Sequence, residues 1–230
     1  MIVGSGLIAS GLIDREVTLH AAGVANSACY SKPEFARDRD LLKRSLQRPG
    51  LFVYFGTSSS EYNHYTEHKQ RMEELVRDRG NYLICKLPIV VGRSNNPHTL
   101  MNIIRSRILS GEPLPVWKKA RRNIIDVQDV GKAVDWVVQR WSGNQTVLIA
   151  APWEYAMPDV VTAMEKALKK KANRVVIDKG ESPKVVGNIP IEWAGIESII
   201  KRYYPCSQHS STQGKTRSLP ISQSQQQQSG

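Results

Sequence analysis

The chain opens on Met1-Ile2-Val3-Gly4-Ser5-Gly6-Leu7-Ile8-Ala9, an apolar strand of minimal length that runs into Gly-x-Gly-x-x-Ala. A strand feeding a glycine-rich turn and then a helix is the first unit of a parallel α/β sheet. Gly4 permits the tight turn, Gly6 lets backbone amides approach a pyrophosphate, and the small Ala9 lets the first helix pack close to its strand. The turn from Gly4 through Ser5, Gly6, Leu7 and Ile8 then faces an anion at the helix N-terminus. An ordinary strand-to-helix turn shares this spacing, so the motif takes its weight from a second one further along the chain.

That second motif is a proton-transfer constellation. Leu51 to Phe55 reads as a strand ending in Gly56-Thr57-Ser58-Ser59, and a helix then carries Tyr65 and Lys69 four residues apart. Residues at i and i+4 share a helix face. An ammonium beside a phenol favours the phenolate, which predicts a lowered pKa for Tyr65 and proton exchange near neutral pH. Thr57, at the end of the preceding strand, can hydrogen-bond the same substrate oxygen. A surface helix can also carry such a pair by chance, and it is the order of the two motifs that favours chemistry.

In that order the chain resembles the extended short-chain dehydrogenase/reductase family, the NAD-dependent epimerase/dehydratase group, from about Met1 to Pro205. Val17-Thr18-Leu19-His20-Ala21-Ala22-Gly23 looks like the family's strand ending in His-x-Ala-Ala, which lines the cofactor cleft. Phe52-Val53-Tyr54-Phe55-Gly56-Thr57 is similar to its Ser/Thr-bearing strand, and Tyr65 and Lys69 match its catalytic pair. Leu87-Pro88-Ile89-Val90-Val91-Gly92 resembles the segment that passes the nicotinamide, which places Pro88 and Val90 against the cofactor. Arg122-Asn123-Ile124-Ile125-Asp126-Val127-Gln128-Asp129-Val130 resembles a run whose arginine binds the diphosphate of a sugar nucleotide. The resemblance implies NAD or NADP as cofactor, a nucleotide sugar as substrate, and hydride transfer with Tyr65 moving the hydroxyl proton. It also assigns Lys69 to the nicotinamide ribose as well as to the phenol.

The departures from the family are physical. A full dinucleotide fold places a carboxylate about 20 residues past the glycines to bind the adenosine ribose, but this stretch reads His20-Ala21-Ala22-Gly23-Val24-Ala25-Asn26. The family's His-x-Ala-Ala strand normally comes fourth, and here it comes directly after the first helix, so the second and third strands are missing. The expected fold is thus a Rossmann-like parallel sheet, truncated by two strands, with a small C-terminal substrate-binding cap. Strand one becomes an edge, which a partner subunit, as in a homodimer, would cover. Where the family's dehydratases carry an acidic pair after the Thr, Ser58 and Ser59 stand, which favours epimerisation or carbonyl reduction over dehydration.

Composition restricts the alternatives. The 230 residues, 40% hydrophobic and 23% charged, suffice for one substantial core. The expected core covers about 1–93 and 123–150, the cap about 94–122 and 151–205, and a polar, Gln-rich tail at 206–230 is expected to be disordered. Three widely spaced cysteines, Cys29, Cys85 and Cys206, suit reduced thiols and cytoplasmic residence. No apolar run approaches the roughly 20 residues of a membrane span, and no leader is recognisable. The five histidines show no metal-ligand spacing, so no metal is expected, and His64 and His68 are assigned to a solvated face beside Tyr65. A net charge of +11 and a pI near 9.7 favour anionic partners. Nucleic acid ranks last among them, because no interleaved aromatic and basic RNA motif is present.

The remaining elements are read from periodicity. Helices are expected at Lys32 to Leu46, Tyr65 to about Arg79, about Thr99 to Leu109 and Asp159 to Lys171, with Asp126 capping another whose face is Val127, Val130, Val134, Val137 and Val138. Tyr82 to Val91 reads as one buried strand. Val147 to Ala150, where the core is expected to end, reads with Arg174 to Ile177 as short strands on the cap side. Within the 93–122 insertion, His98, Thr99 and Asn102 join Arg122 as candidate substrate contacts, and the first three suit cap and surface positions equally. Two readings compete: an NAD(P)-dependent epimerase or carbonyl reductase, and a degenerate, non-catalytic member of the same fold that binds a dinucleotide or RNA.

Overall fold

The structure is a computed structural model and describes residues 1–180 and 184–206. At its centre lies a parallel five-stranded sheet ordered β1 (Ile2–Val3), β2 (Thr18–His20), β3 (Phe52–Thr57), β4 (Tyr82–Leu87) and β9 (Gln145–Leu148). β1 is an edge strand, as the missing second and third strands require. The order is that of a doubly wound sheet cut off beside its first strand.

β3 is the middle of this sheet and is buried on both faces, which suits its aromatic and β-branched sequence. Phe52 and Tyr54 face one side, with Leu42, Met72 and Val76 of α1 (Lys32–Leu46) and α2 (His64–Arg79). Val53 and Phe55 face the other, with Val130, Val134 and Val137 of α4 (Val127–Gln139). Burying each such side chain contributes on the order of 1.5–3 kcal/mol.

Local signals set where the helices begin. Ser31 caps α1, accepting from Glu34 N at 3.4 Å, with Pro33 in its first turn. α2 starts on a reciprocal capping box, in which Asn63 Oδ1 accepts from Thr66 N at 2.9 Å and Thr66 Oγ1 accepts from Asn63 N at 3.0 Å. Tyr65 and Lys69 are thereby held in the first two turns, just above the C-terminal end of β3. Asp126 caps α4 as expected, accepting from Gln128 N at 2.9 Å, and also accepts from Tyr203 Oη at 2.7 Å.

Three expectations are corrected. The first helix is only a 3-10 turn, Ala9–Gly11. Glycine is about 1 kcal/mol poorer than alanine in a helix, Ser10 Oγ bonds back to Leu7 O at 2.7 Å, and Gly11 is pressed against Val127. The stretch from Tyr82 to Val91 breaks at Pro88, which has no N–H for the ladder, so that Ile89–Val91 leaves the sheet as β5 and pairs with β8 (Ile124–Asp126). Val147 belongs to the main sheet, where it pairs with Cys85. A strand returning after α4 on the same sheet is a parallel crossover.

The remaining elements pack around a second core. α3 (Leu100–Ser110), α5 (Met157–Leu168) and α6 (Ile196–Tyr203) surround β6 (Pro113–Trp117), which pairs in parallel with β11 (Asn173–Ile177). β7 (Arg121–Arg122) and β10 (Tyr155–Ala156) form a short antiparallel pair. Buried Asn123 joins the two cores, donating to Ala151 O and Trp153 O, each at 2.8 Å. Residues 207–230 of the expected tail lie outside the described residues. Among the described residues no helix is long and apolar enough to cross a membrane.

Candidate active site

The ends of β1, β2 and β3 meet the start of α2 in a continuous row of contacts. Gly4 has φ +117°, and a β-carbon there would lie 2.7 Å from Ala21 O and 2.8 Å from Ala22 N. Only glycine lets the first turn settle onto the Ala21-Ala22 backbone. Gly6 faces open space, with no atom within 4 Å of the position of a β-carbon. Ser5 and Gly6 are exposed, while Leu7 and Ile8 are half-buried, Ile8 against the sheet's core.

Gly23 continues the row. Its φ is +129°, and a β-carbon on it would lie 3.0 Å from Asp38 Oδ1 and 3.2 Å from Lys69 Nζ. The Lys69 ammonium is buried at the floor of this row, 5.8 Å from the centroid of the Tyr65 ring and 5.5 Å from that of Tyr54. It donates to Tyr54 Oη at 3.4 Å. The structure thus brings Gly4, Ala21, Ala22, Gly23, Lys69 and Tyr65 together. Thr57 ends β3 half-buried, its Oγ1 accepting from Ser59 N at 3.1 Å.

Electrostatics depart from the expected phenolate. Burial, and after it the negative charge of Asp38, pushes the Tyr65 phenol up to about 12 rather than down. Lys69 is displaced toward Tyr54, and burial lowers its own pKa, opposed by Asp38 and Glu73. In the free protein Tyr65 is therefore a proton donor at neutral pH.

Three buried polar side chains lie beside this row. Asp38 Oδ2 lies 2.9 Å from His68 Nε2 and accepts from Val24 N at 3.3 Å. His68 is not on a solvated face: it is buried and stacked on Phe35 at 4.4 Å. His20 is buried between Phe52 and Tyr54, 5.8 and 6.1 Å away. Asp38 Oδ1 and both ring nitrogens of His20 have no hydrogen-bond partner among the described residues. An aspartate in a charged helix looks like an ordinary surface residue, and only the fold places Asp38 under the cleft, whereas His20 belongs to the strand already read as lining it.

The candidate substrate contacts are dispersed. Leu7, Val90 and Thr99 line one narrow cleft with Tyr204, and Pro88 stands half-buried at the break between β4 and β5. Thr99 precedes α3, with Oγ1 donating to Asn96 O at 3.4 Å. Asn102 is committed internally: Nδ2 donates to Ser94 O at 2.9 Å and Asn96 O at 2.8 Å, while Oδ1 accepts from Tyr204 Oη at 2.9 Å. Arg122 is half-buried in β7, its Nη1 donating to Arg121 O at 2.7 Å. No group of three or more His, Cys, Asp or Glu side chains able to hold a metal occurs among the described residues.

The NAD dependent epimerase/dehydratase family matches residues 42–150. No curated protein matches the chain. Among solved structures, a UDP-glucuronic acid 4-epimerase from Bacillus cereus in complex with NAD superposes with a TM-score of 0.66 at 15% identity, covering 87% of this chain and 75% of that one. The Bordetella bronchiseptica enzyme WbmH in complex with NAD+ gives a TM-score of 0.62 at 16% identity, over 81% and 73%. A UDP-glucose 4-epimerase from Thermus thermophilus in complex with NAD gives 0.60 at 14%, over 81% and 76%. At these identities the likeness is one of fold. Residues 42–150 match the NAD dependent epimerase/dehydratase family, and the described chain shares the fold of these solved epimerases.

Proposed function

We propose that the chain is an NAD-dependent enzyme that epimerises or reduces a nucleotide sugar, with Tyr65 as its proton-transfer residue. The observation that carries this reading is the placement of Lys69, packed between the Gly23 rim and the Tyr65 ring, in the row that begins at the Gly4 turn. That the solved neighbours hold NAD supports the cofactor.

The residues present fit the nicotinamide half of such a cofactor. Positive-φ Gly4 and open Gly6 leave a cradle for a pyrophosphate, formed by the backbone from Gly4 to Ile8. Ala21, Ala22, Gly23, Pro88 and Val90 would line the rest, with Lys69 at the ribose. When bound, the nicotinamide would accept a hydride from the sugar carbon and return it in epimerisation, or deliver one to a carbonyl carbon in reduction. The chain's own part is to move a proton. Thr57 Oγ1 orients the substrate hydroxyl or carbonyl oxygen, the Tyr65 phenol exchanges a proton with that oxygen, and Arg122, with Thr99 nearer the cleft, holds the phosphate-bearing part of the substrate. Because the phenol is pushed up to about 12 in the free protein, its use as a base requires positive charge to gather beside it in the complex.

Tyr65→Phe is the test. Positioned proton transfer contributes roughly 10²- to 10⁴-fold, so turnover of a nucleotide-sugar panel falls by that factor while NAD binding, measured by calorimetry, is unchanged. An unaltered rate overturns the assignment.

The degenerate reading has its own support: β1 is a bare edge, and no carboxylate stands between His20 and Asn26 to bind a ribose. Titration with NAD, NADH, NADP and NADPH separates the two, since absence of binding to all four favours the non-catalytic protein.

A further inference from the structure

We infer that Asp38 is the positioning counter-ion of this cleft: anchored by His68, it holds the Lys69 ammonium at the Gly23 rim beneath Tyr65. The inference rests on the proposed role of Tyr65 and Lys69 and names a residue outside that pair.

The geometry carries it. Asp38 projects from α1 and Lys69 from α2, and both converge on the face of Gly23, where a β-carbon would lie 3.0 Å from the carboxylate and 3.2 Å from the ammonium. Gly23 therefore has no side chain to separate them. Asp38 is 4% exposed and Lys69 5%. A buried ammonium without a nearby negative charge discards its proton. Asp38 is itself fixed, by His68 Nε2 at 2.9 Å and Val24 N at 3.3 Å, which leaves Oδ1 turned to the Gly23 side without a partner among the described residues.

The other titratable groups around the ammonium do not replace Asp38. Glu73 lies one turn further along α2, where it is paired with Lys86 at 2.6 Å and Arg77 at 3.1 Å. Tyr54 is neutral, held protonated by burial. His20 is neutral, lowered to about 4 by burial. Asp38 raises both Lys69 and Tyr65, so it keeps ammonium and phenol protonated together. A carboxylate here thus sets the protonation of the pair without touching substrate.

The test is Asp38→Asn, with Asp38→Thr as a second neutral variant should the first fail to fold. Carbon-13 NMR of labelled lysine tracks Lys69, its resonance assigned with Lys69→Met. In the neutral variants the Lys69 titration midpoint falls by about one pH unit or more, the usual effect of a charge within 4–6 Å, and Asp38→Glu restores it. Both limbs of the kcat profile then move to lower pH by a similar amount. An unmoved Lys69 midpoint in a folded neutral variant overturns the inference. A midpoint that moves in chains with no turnover, wild type included, upholds the counter-ion and instead overturns the catalytic reading.

Discussion

Gly11 and Gly131 meet backbone to backbone: a β-carbon on Gly131 would overlap Gly11 O, and one on Gly11 would overlap Val127 O. This contact seats the glycine turn on α4. Gly131→Ala therefore meets a carbonyl that cannot give way. A mid-helix alanine gains about 1 kcal/mol over glycine, but overpacking against backbone costs about 1–3 kcal/mol or more. The expected net result is a lower Tm, by about 2–4 °C for each kcal/mol in a chain of this size. Scanning calorimetry showing an unchanged or higher Tm would mean that the two segments are not in contact.

His20 makes stability fall on mild acidification. Burial lowers its folded pKa from the ordinary 6.5 to about 4, so between those values the unfolded chain binds the proton and the folded chain does not. Stability is full above pH 6.5 and declines as pH falls, at up to 1.36 kcal/mol per unit, reaching about 3 kcal/mol near pH 4. Asp38, whose pKa is lowered, adds its loss only below that window, as pH falls through its folded value. His20→Phe keeps the stacked ring and flattens the Tm profile between pH 6.5 and 4.5. An equal slope in the variant would place the titrating group elsewhere.

Asn102 is a brace, and its substitution separates structure from substrate contact. Its side chain ties the 94–96 loop to Tyr204 through three hydrogen bonds. Asn102→Ala leaves these partners unsatisfied at about 1–3 kcal/mol for the site, and Tyr204→Phe, which removes only one bond, lowers Tm by less. A substrate role would instead raise KM in Asn102→Ala at unchanged Tm.

Much of the fold was legible because local signals were complete. Periodicity marked α1 to its observed ends, Lys32 and Leu46, and the i, i+4 spacing of Tyr65 and Lys69 marked one face of α2. The illegible parts depend on distant partners. Only tertiary packing brings Asp38 of α1 under Gly23 and against His68, and only α4, far along the chain, stops the first helix at Gly11. The raised Tyr65 shows the same limit: the neighbouring lysine is visible in sequence, whereas the burial and the aspartate that push the phenol up are not.

The truncated sheet makes a demand on the cofactor itself. Among the described residues β1 has a strand on one side only and is two residues long, and no carboxylate stands between His20 and Asn26, about 20 residues past the glycines. Among the described residues no strand pairs with the outer side of β1 to enclose an adenosine half, and on the proposed reading the Gly4 turn, Gly23 and Lys69 serve the nicotinamide half. Affinity is expected to come mainly from that remaining half. Calorimetry with reduced nicotinamide mononucleotide and with NADH then gives dissociation constants within about tenfold of each other, a difference of no more than about 1.4 kcal/mol. If NADH binds more than a hundredfold more tightly, the adenosine has a wall after all. An exposed sheet edge is a natural place for a second subunit, and in that case the NADH advantage should fade on dilution to concentrations at which the chain is a monomer.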